Sequence, residues 1–262
     1  MFVRIASALV LIPLLLFCVQ TGHLALLFFL LAISLASLFE LFRVFETGGY
    51  KLIKITVYVV TVLTYILIYY KHGLLFHLTP ILIVIGTAYA IRGKLSSEEL
   101  ALSVMAYLYI PISLSYIYSL RMQQGNYVWL VFLLAYITDT FAYFVGRAFG
   151  KHKLIPSVSP KKTVEGAVGG VVGAVLCCLL FEKYFGEDSH YVGIVILALL
   201  GSVASQLGDL FASTMKRHFK VKDYGKLIPG HGGVLDRVDS VLFTAPLTYY
   251  AFFLIRLIQE LL

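Results

Sequence analysis

Charge is scarce in this chain. Only 13% of its 262 residues are Asp, Glu, Lys or Arg, against 60% hydrophobic, and that balance excludes an ordinary soluble domain. No stretch is long or polar enough to form one separately. Strand-like alternation does not recur either, so helices are left as the way to satisfy a backbone inside lipid. Cysteine is nearly absent. Cys18, Cys177 and Cys178 are odd in number, two of them adjacent, and all lie in apolar runs, which excludes a disulfide framework and makes packing their expected role. A small-x-small cleavage site is also missing after the first apolar run, although Arg4 precedes it. That run is therefore read as a helix and not as a secretory leader.

What is abundant is apolar sequence in runs of about 20 residues, each long enough to cross a hydrocarbon core of roughly 30 Å. They fall near 3–20, 23–45, 52–70, 73–91, 100–120, 127–148, 164–185, 190–215 and 238–260. The expected fold is all-α, a polytopic membrane bundle of about nine helices forming one integral membrane unit. Five spans occupy residues 1–120; residues 121–262 hold the rest, with polar loops at 147–163 and 216–237. Cations set the orientation. With the N-terminus inside, the inner side receives Arg4, Arg43, Lys51, Lys54, Arg92, Lys94, Arg147, Lys151, Lys153, Lys161, Lys162 and the cations of segment 213–239. Only Lys71, Arg121, Lys183 and Arg256 fall outside, as does the acidic pair Glu187-Asp188. The positive-inside bias thus predicts N-in, C-out. The net charge of +7 sits mainly on the inner face, where each cation near an anionic bilayer is worth roughly 1 kcal/mol. Nucleic acid is not an expected partner, because the basic segments are short inter-helix loops without an aromatic stacking platform.

Ionisable groups inside spans are candidates for function, since a charge in the bilayer costs several kcal/mol. Glu40 has Arg43 at i+3, and a structural ion pair is its expected role. Glu182 and Lys183 lie near a span end and can snorkel. Asp139 sits mid-span in YITDTFAYF with no cation at i±3 or i±4, so it needs a partner on another helix, a metal or water. Asp209 is a stronger candidate. Ser205, Asp209 and Ser213 form one polar stripe on an apolar helix, flanked by Gln206 and Gly208 and running into Lys216-Arg217.

The densest polar stretch is 213–239, STMKRHFKVKDYGKLIPGHGGVLDRVD. Lys216, Arg217, Lys220, Lys222, Lys226 and Arg237 beside Asp223, Asp236 and Asp239 suit a polyanionic ligand that carries a divalent metal: a nucleoside triphosphate, a phospholipid headgroup, or both. Topology alone accounts for the cations. It does not account for His231-Gly232-Gly233 followed by two aspartates at the mouth of an apolar helix. Asp236 and Asp239 are i, i+3 and share a face, and with Asp209 they supply the carboxylates that Mg²⁺ favours beside phosphate oxygens. A helix cap is the alternative for Asp236. The Pro-Gly-His-Gly-Gly run must turn, and glycines let main-chain N–H groups approach phosphate. On the same side, Ser159-Pro160-Lys161-Lys162-Thr163 also suits a phosphate, with Thr163 alternatively an N-cap. Gly166, Gly169, Gly170, Gly173 and Ala174 form small-xxx-small pairs that read as close helix packing.

In order and spacing, Ser213, Met215-Lys216-Arg217, Lys222-Asp223, Gly225, Ile228-Pro229, His231-Gly232-Gly233, Asp236-Arg237 and Asp239 resemble the signature of the CDP-diacylglycerol synthases (phosphatidate cytidylyltransferases). The likeness extends upstream through Gly208-Asp209-Leu210, Ser159-Pro160-Lys162-Thr163, Glu165-Gly166 and Asp139, roughly the C-terminal half. It departs at Thr140-Phe141, where smaller residues are expected. The resemblance implies transfer of CMP from CTP to phosphatidate, giving CDP-diacylglycerol and pyrophosphate, with Mg²⁺ and room for a second cation. It implies metal coordination by Asp209, Asp236 and Asp239. Lys216, Arg217, Lys222, His231 and Arg237 would hold phosphates, and Ser159, Lys162 and Thr163 would close the site. Glu165, Ser205, Ser213, Asp223, Gly232, Gly233 and Asp139 complete the expected substrate-binding set. The implied setting is the cytoplasmic membrane with the site on its inner side, and the glycine-rich seventh span is a candidate homodimer face. Another CTP-using lipid enzyme, such as a polyprenol kinase, stays open on site chemistry alone. An ion-coupled transporter would call for inverted repeats and polar residues continuing outward, and neither is seen.

Overall fold

A computed structural model describes residues 2–70, 78–186 and 191–261. Lys71 and the pair Glu187-Asp188, used above for topology, lie outside the described residues. The helices are α1 (Phe2–Thr21), α2 (His23–Thr47), α3 (Lys54–Tyr69), α4 (Leu78–Ile91), α5 (Ser97–Tyr107), α6 (Ser113–Gln124), α7 (Trp129–Phe132) and α8 (Thr138–Phe149). They continue with α9 (Val164–Phe185), α10 (Tyr191–His218), the single-turn α11 (Leu235–Val238) and α12 (Val241–Leu261). Long apolar helices make this a membrane helical bundle. Among the described residues, His23–Thr47, the helical run Ser97–Phe149, Val164–Phe185 and Tyr191–His218 are long and apolar enough to cross a bilayer, and shorter apolar helices accompany them.

Two features depart from the sequence reading. The fold is not wholly helical: β1 (Lys153–Ile155) and β2 (Ser159–Thr163) pair antiparallel, with Lys153 opposite Thr163 and Ile155 opposite Ser159. Strands of three and five residues are too short to show an apolar alternation. The expected fifth and sixth spans are joined by a 3₁₀ turn at Gly125–Val128, where Gly125 takes φ 55°, and not by an open loop. π-helical turns interrupt the same run at Leu108–Ile112 and Leu133–Ile137. The first contains Pro111, which has no N–H to give the regular ladder. The second ends one residue before α8, so it shifts the helical register just ahead of Asp139.

The chain forms two compact units. One comprises Met1–Ser119 with His218–Arg237, the other Leu120–Arg217 with Val238–Leu262. In the first, buried hydroxyl pairs join helices: Ser34 to Tyr65 at 2.8 Å and Thr64 to Tyr107 at 2.6 Å. In hydrocarbon such bonds are worth on the order of 1 kcal/mol each. The start of α5 is a capping box. The Ser96 hydroxyl accepts from the Glu99 N–H at 3.1 Å, and Glu99 Oε2 accepts from the Ser96 N–H at 2.7 Å, as the S-x-x-E spelling dictates.

In the second unit, α8 and α9 press together through glycine. A Cβ on Gly166 would stand 2.6 Å from the Ala142 carbonyl oxygen, and one on Gly170 would stand 2.8 Å from the Thr138 carbonyl oxygen. The glycines at 169 and 173 meet Val145 and Phe141 in the same way. The small-residue stripe that suggested a homodimer face therefore packs inside the unit. Thr163 is the N-cap of α9, its hydroxyl accepting from the Gly166 N–H at 3.1 Å. Thr163→Val keeps the shape and removes that acceptor. It is expected to cost about 1 kcal/mol, read as a fall of a few degrees in the thermal unfolding midpoint of the detergent-solubilised protein.

Candidate active site

In the second unit three carboxylates from three separate segments approach one another. Asp139 comes from the first turn of α8, Asp209 from the C-terminal half of α10, and Asp239 from the turn between α11 and α12. They lie within electrostatic reach of each other. Asp139 Oδ2 accepts from the Ser240 hydroxyl at 3.4 Å, and Asp239 Oδ1 accepts from the Ser240 N–H at 2.8 Å. Gly208 explains how the segments meet: a Cβ there would stand 2.8 Å from the Asp239 carbonyl oxygen, so only glycine lets that backbone lie beside the residue preceding Asp209. Two cations answer the acids. Lys162 forms an ion pair with Asp209, and Lys216 lies within electrostatic reach of Asp239.

The same unit holds a cavity of about 430 Å³ whose lining includes Asp139, Tyr143, Arg147, Lys153, Lys161, Lys162, Gln206 and Asp209. The β1–β2 hairpin delivers Lys153, Lys161 and Lys162 to this cavity, while α8 delivers Asp139, Tyr143 and Arg147. Sequence reasoning used Arg147 and Lys153 only for topology, and Lys161 beyond that only as part of the Ser159–Thr163 motif. Their shared destination depends on strand pairing across Lys153 and Thr163, which no local pattern announces.

Several expected site residues are engaged structurally. Glu165 clasps the hairpin's approach: its carboxylate accepts from the Lys151 N–H at 3.0 Å and the His152 N–H at 3.2 Å, and meets His152 Nδ1 at 2.6 Å. Ser205 is buried, its hydroxyl donating to the Ala135 carbonyl at 3.4 Å. Ser159 opens β2, and Ser213 lies half-buried on α10 beyond Asp209. Lys216 is half-buried and Arg217 exposed near the end of α10.

The first unit holds the glycine-rich loop. Asp236 Oδ2 accepts from the N–H of Tyr224 at 2.9 Å and of Gly233 at 3.1 Å, so this carboxylate braces the loop that contains it. The His231 carbonyl accepts from Arg237 through Nε at 3.1 Å and also through Nη2, while His231 Nδ1 is buried without a hydrogen-bond partner. Gly230 and Gly232 take φ 76° and 92°, conformations that other residues rarely adopt. Lys222 and Asp223 are exposed. Glu40 corrects the expected ion pair with Arg43. It accepts from the Leu235 N–H at 2.9 Å, and no Glu40–Arg43 pair forms.

A divalent cation can be tested against these donors. Among the described residues, no three His, Cys, Asp or Glu side chains come together as a ready-made cage. Mg²⁺ does not need one, because it takes one or two carboxylates and completes its shell with water and substrate phosphate. The mutually close, partly buried carboxylates of the second unit fit that requirement.

Comparison with known proteins agrees with this chemistry. Residues 2–255 match the model of the cytidylyltransferase family. Over 156 residues the chain is 41% identical to a phosphatidate cytidylyltransferase of Staphylococcus saprophyticus, covering 60% of each protein. It is 38% identical over 176 residues to one from Bacillus subtilis, covering 66% of this chain and 65% of that protein. It is 41% identical over 157 residues to one from Staphylococcus aureus, again covering 60% of each. The alignments thus span three-fifths to two-thirds of these relatives' length. Because the family match runs through nearly the whole chain, including the acidic cluster, the hairpin and the glycine-rich loop, the chain belongs to the cytidylyltransferase family.

Proposed function

We propose that this membrane protein transfers CMP from CTP to phosphatidate, forming CDP-diacylglycerol and pyrophosphate. The observation that carries the reading is the gathering of Asp139, Asp209 and Asp239 with Lys162 beside a cavity rich in Lys and Arg. Similarity to relatives named phosphatidate cytidylyltransferase supports the choice of reaction. A phosphatidate oxygen forms the new bond to the α-phosphorus of CTP as the bond to the β-phosphate oxygen breaks, and the electron pair leaves with pyrophosphate. The nucleophile is already an anion, so no serine or cysteine intermediate is required. Catalysis then consists of alignment and charge neutralisation.

Asp209 and Asp239 would hold Mg²⁺, with Asp139 near enough to share a second cation. When bound, the metal supplies positive charge for the α-phosphate and the departing pyrophosphate. Lys162 and Lys216 balance the acids, and Arg147, Lys153 and Lys161 attract anionic headgroups to the cavity. In the first unit, Lys222, His231 and Arg237 are suited to phosphate. About nine spans, N-in and C-out, place this chemistry at the inner surface of the cytoplasmic membrane, as the cation distribution favours.

The purified protein in phosphatidate-containing nanodiscs, given CTP and Mg²⁺, is expected to release pyrophosphate and produce a CMP-bearing lipid in equal amounts. Removing Mg²⁺ with chelator should stop both. Pyrophosphate without the lipid product, or a phosphorylated alcohol in its place, would overturn the assignment.

A further inference from the structure

Glu40 is a buried acid in the C-terminal half of a 25-residue apolar helix, and it is only 1% exposed. A buried carboxylate is costly unless it is bonded, so its partner tells what it is for. That partner is the backbone of the glycine-rich loop. Oε2 accepts from the Leu235 N–H at 2.9 Å, while Oε1 is buried against the loop with no hydrogen-bond partner. The carboxylate reaches both limbs of the loop. A Cβ on Gly225 would stand 2.2 Å from Oε1, and one on Gly233 would stand 2.5 Å from Oε2. Because Glu40 is enclosed and bonded, it has nowhere to retreat. Those two glycines are therefore the space the carboxylate occupies. Between the limbs lie Lys226, His231 and the left-handed Gly230 and Gly232. Asp236 closes the base through Tyr224 and Gly233.

We propose that Glu40 is a positioning residue that holds the 225–235 loop in shape from inside, so that its main chain and His231 meet the nucleotide phosphates already arranged. This rests on the reading of the loop as a phosphate-binding element. Glu40 itself touches no reacting atom. The role falls to a helix that composition presents as mere scaffold, and it explains why an acid stands where only packing was needed.

Three full-length variants in nanodiscs test it: Glu40→Leu, Glu40→Gln and Glu40→Asp. Glu40→Leu is expected to raise hydrogen exchange in peptides spanning 224–238 by about tenfold, leaving 97–149 unchanged, and to raise KM for CTP about tenfold while KM for phosphatidate moves less than about twofold. Glu40→Gln keeps the volume and one acceptor for Leu235, so both readouts should return to within about threefold of wild type. It also remains readable if Glu40→Leu does not fold. Glu40→Asp, too short to reach both limbs, should resemble Glu40→Leu. Unchanged exchange in 224–238, or released exchange with an unaltered KM for CTP, overturns the proposal. Loss of active protein with wild-type KM values would show a structural role only, and overturns it too. If the wild-type protein transfers no CMP to lipid, the proposed reaction fails, while the exchange result alone still decides whether Glu40 shapes the loop.

Discussion

Asp239→Asn is expected to abolish CMP transfer while leaving the protein folded. The asparagine is isosteric and keeps an oxygen for the Ser240 N–H that Asp239 Oδ1 accepts at 2.8 Å, so the turn between α11 and α12 retains its geometry. What disappears is one negative charge from the cluster with Asp139 and Asp209. A charge that holds a cation against a phosphate has no substitute in a neutral amide, and losing one such electrostatic element lowers kcat by about 10²–10³ or more. The comparison is the initial rate of CTP- and phosphatidate-dependent pyrophosphate release, with elution volume and thermal midpoint recorded for both proteins. A variant with near-normal rates would remove Asp239 from the metal site. Weak binding of Mg²⁺ alone, with normal CTP binding, would not restore the assignment.

Gly166→Val is expected to damage both stability and activity. Its Cβ would stand 2.6 Å from the Ala142 carbonyl oxygen, 2.9 Å from Thr163 Oγ1 and 3.0 Å from the Gly146 Cα. Two of these neighbours are backbone and cannot rotate away, so α8 and α9 must separate. Overpacking of this kind costs about 1–3 kcal/mol. The functional loss should be disproportionate, because α8 carries Asp139 and Arg147 while the strand feeding α9 carries Lys162. Val168→Ala, on a side chain 58% exposed, is the control, with an expected effect within about 0.5 kcal/mol. Thermal midpoint and specific activity measured on the pair would decide it; a fully active, equally stable Gly166→Val would show that this contact does not set the site.

The helices were legible because lipid allows so few alternatives. A run such as 164–185 must satisfy its own backbone, and its glycines at 166, 169, 170 and 173 need a close neighbour, which α8 provides. Thr163 as a cap was likewise readable, since a cap bonds within three residues of itself. The candidate site was legible in residue type but less so in grouping. Asp209 and Asp239 read as partners and are close. Asp236, read as their equal from an i, i+3 spacing, receives two N–H groups of its own loop, and α11 ends at Val238, one residue before Asp239. Asp139, whose partner no nearby residue could supply, accepts from the Ser240 hydroxyl and lies within electrostatic reach of Asp209.

By itself, the sequence determined the membrane bundle and the family-like string of residues from Ser213 to Asp239. Each follows from composition or from spacing within a few turns. Tertiary structure alone decided what Glu40 is for, since its partner Leu235 stands 195 positions away and hydrophobic periodicity carries no information about such pairs. It also decided that Lys153, Lys161 and Lys162 serve one cavity, because hairpin pairing brings them there. Polar side chains in lipid must find partners, and only the folded chain determines which ones they find.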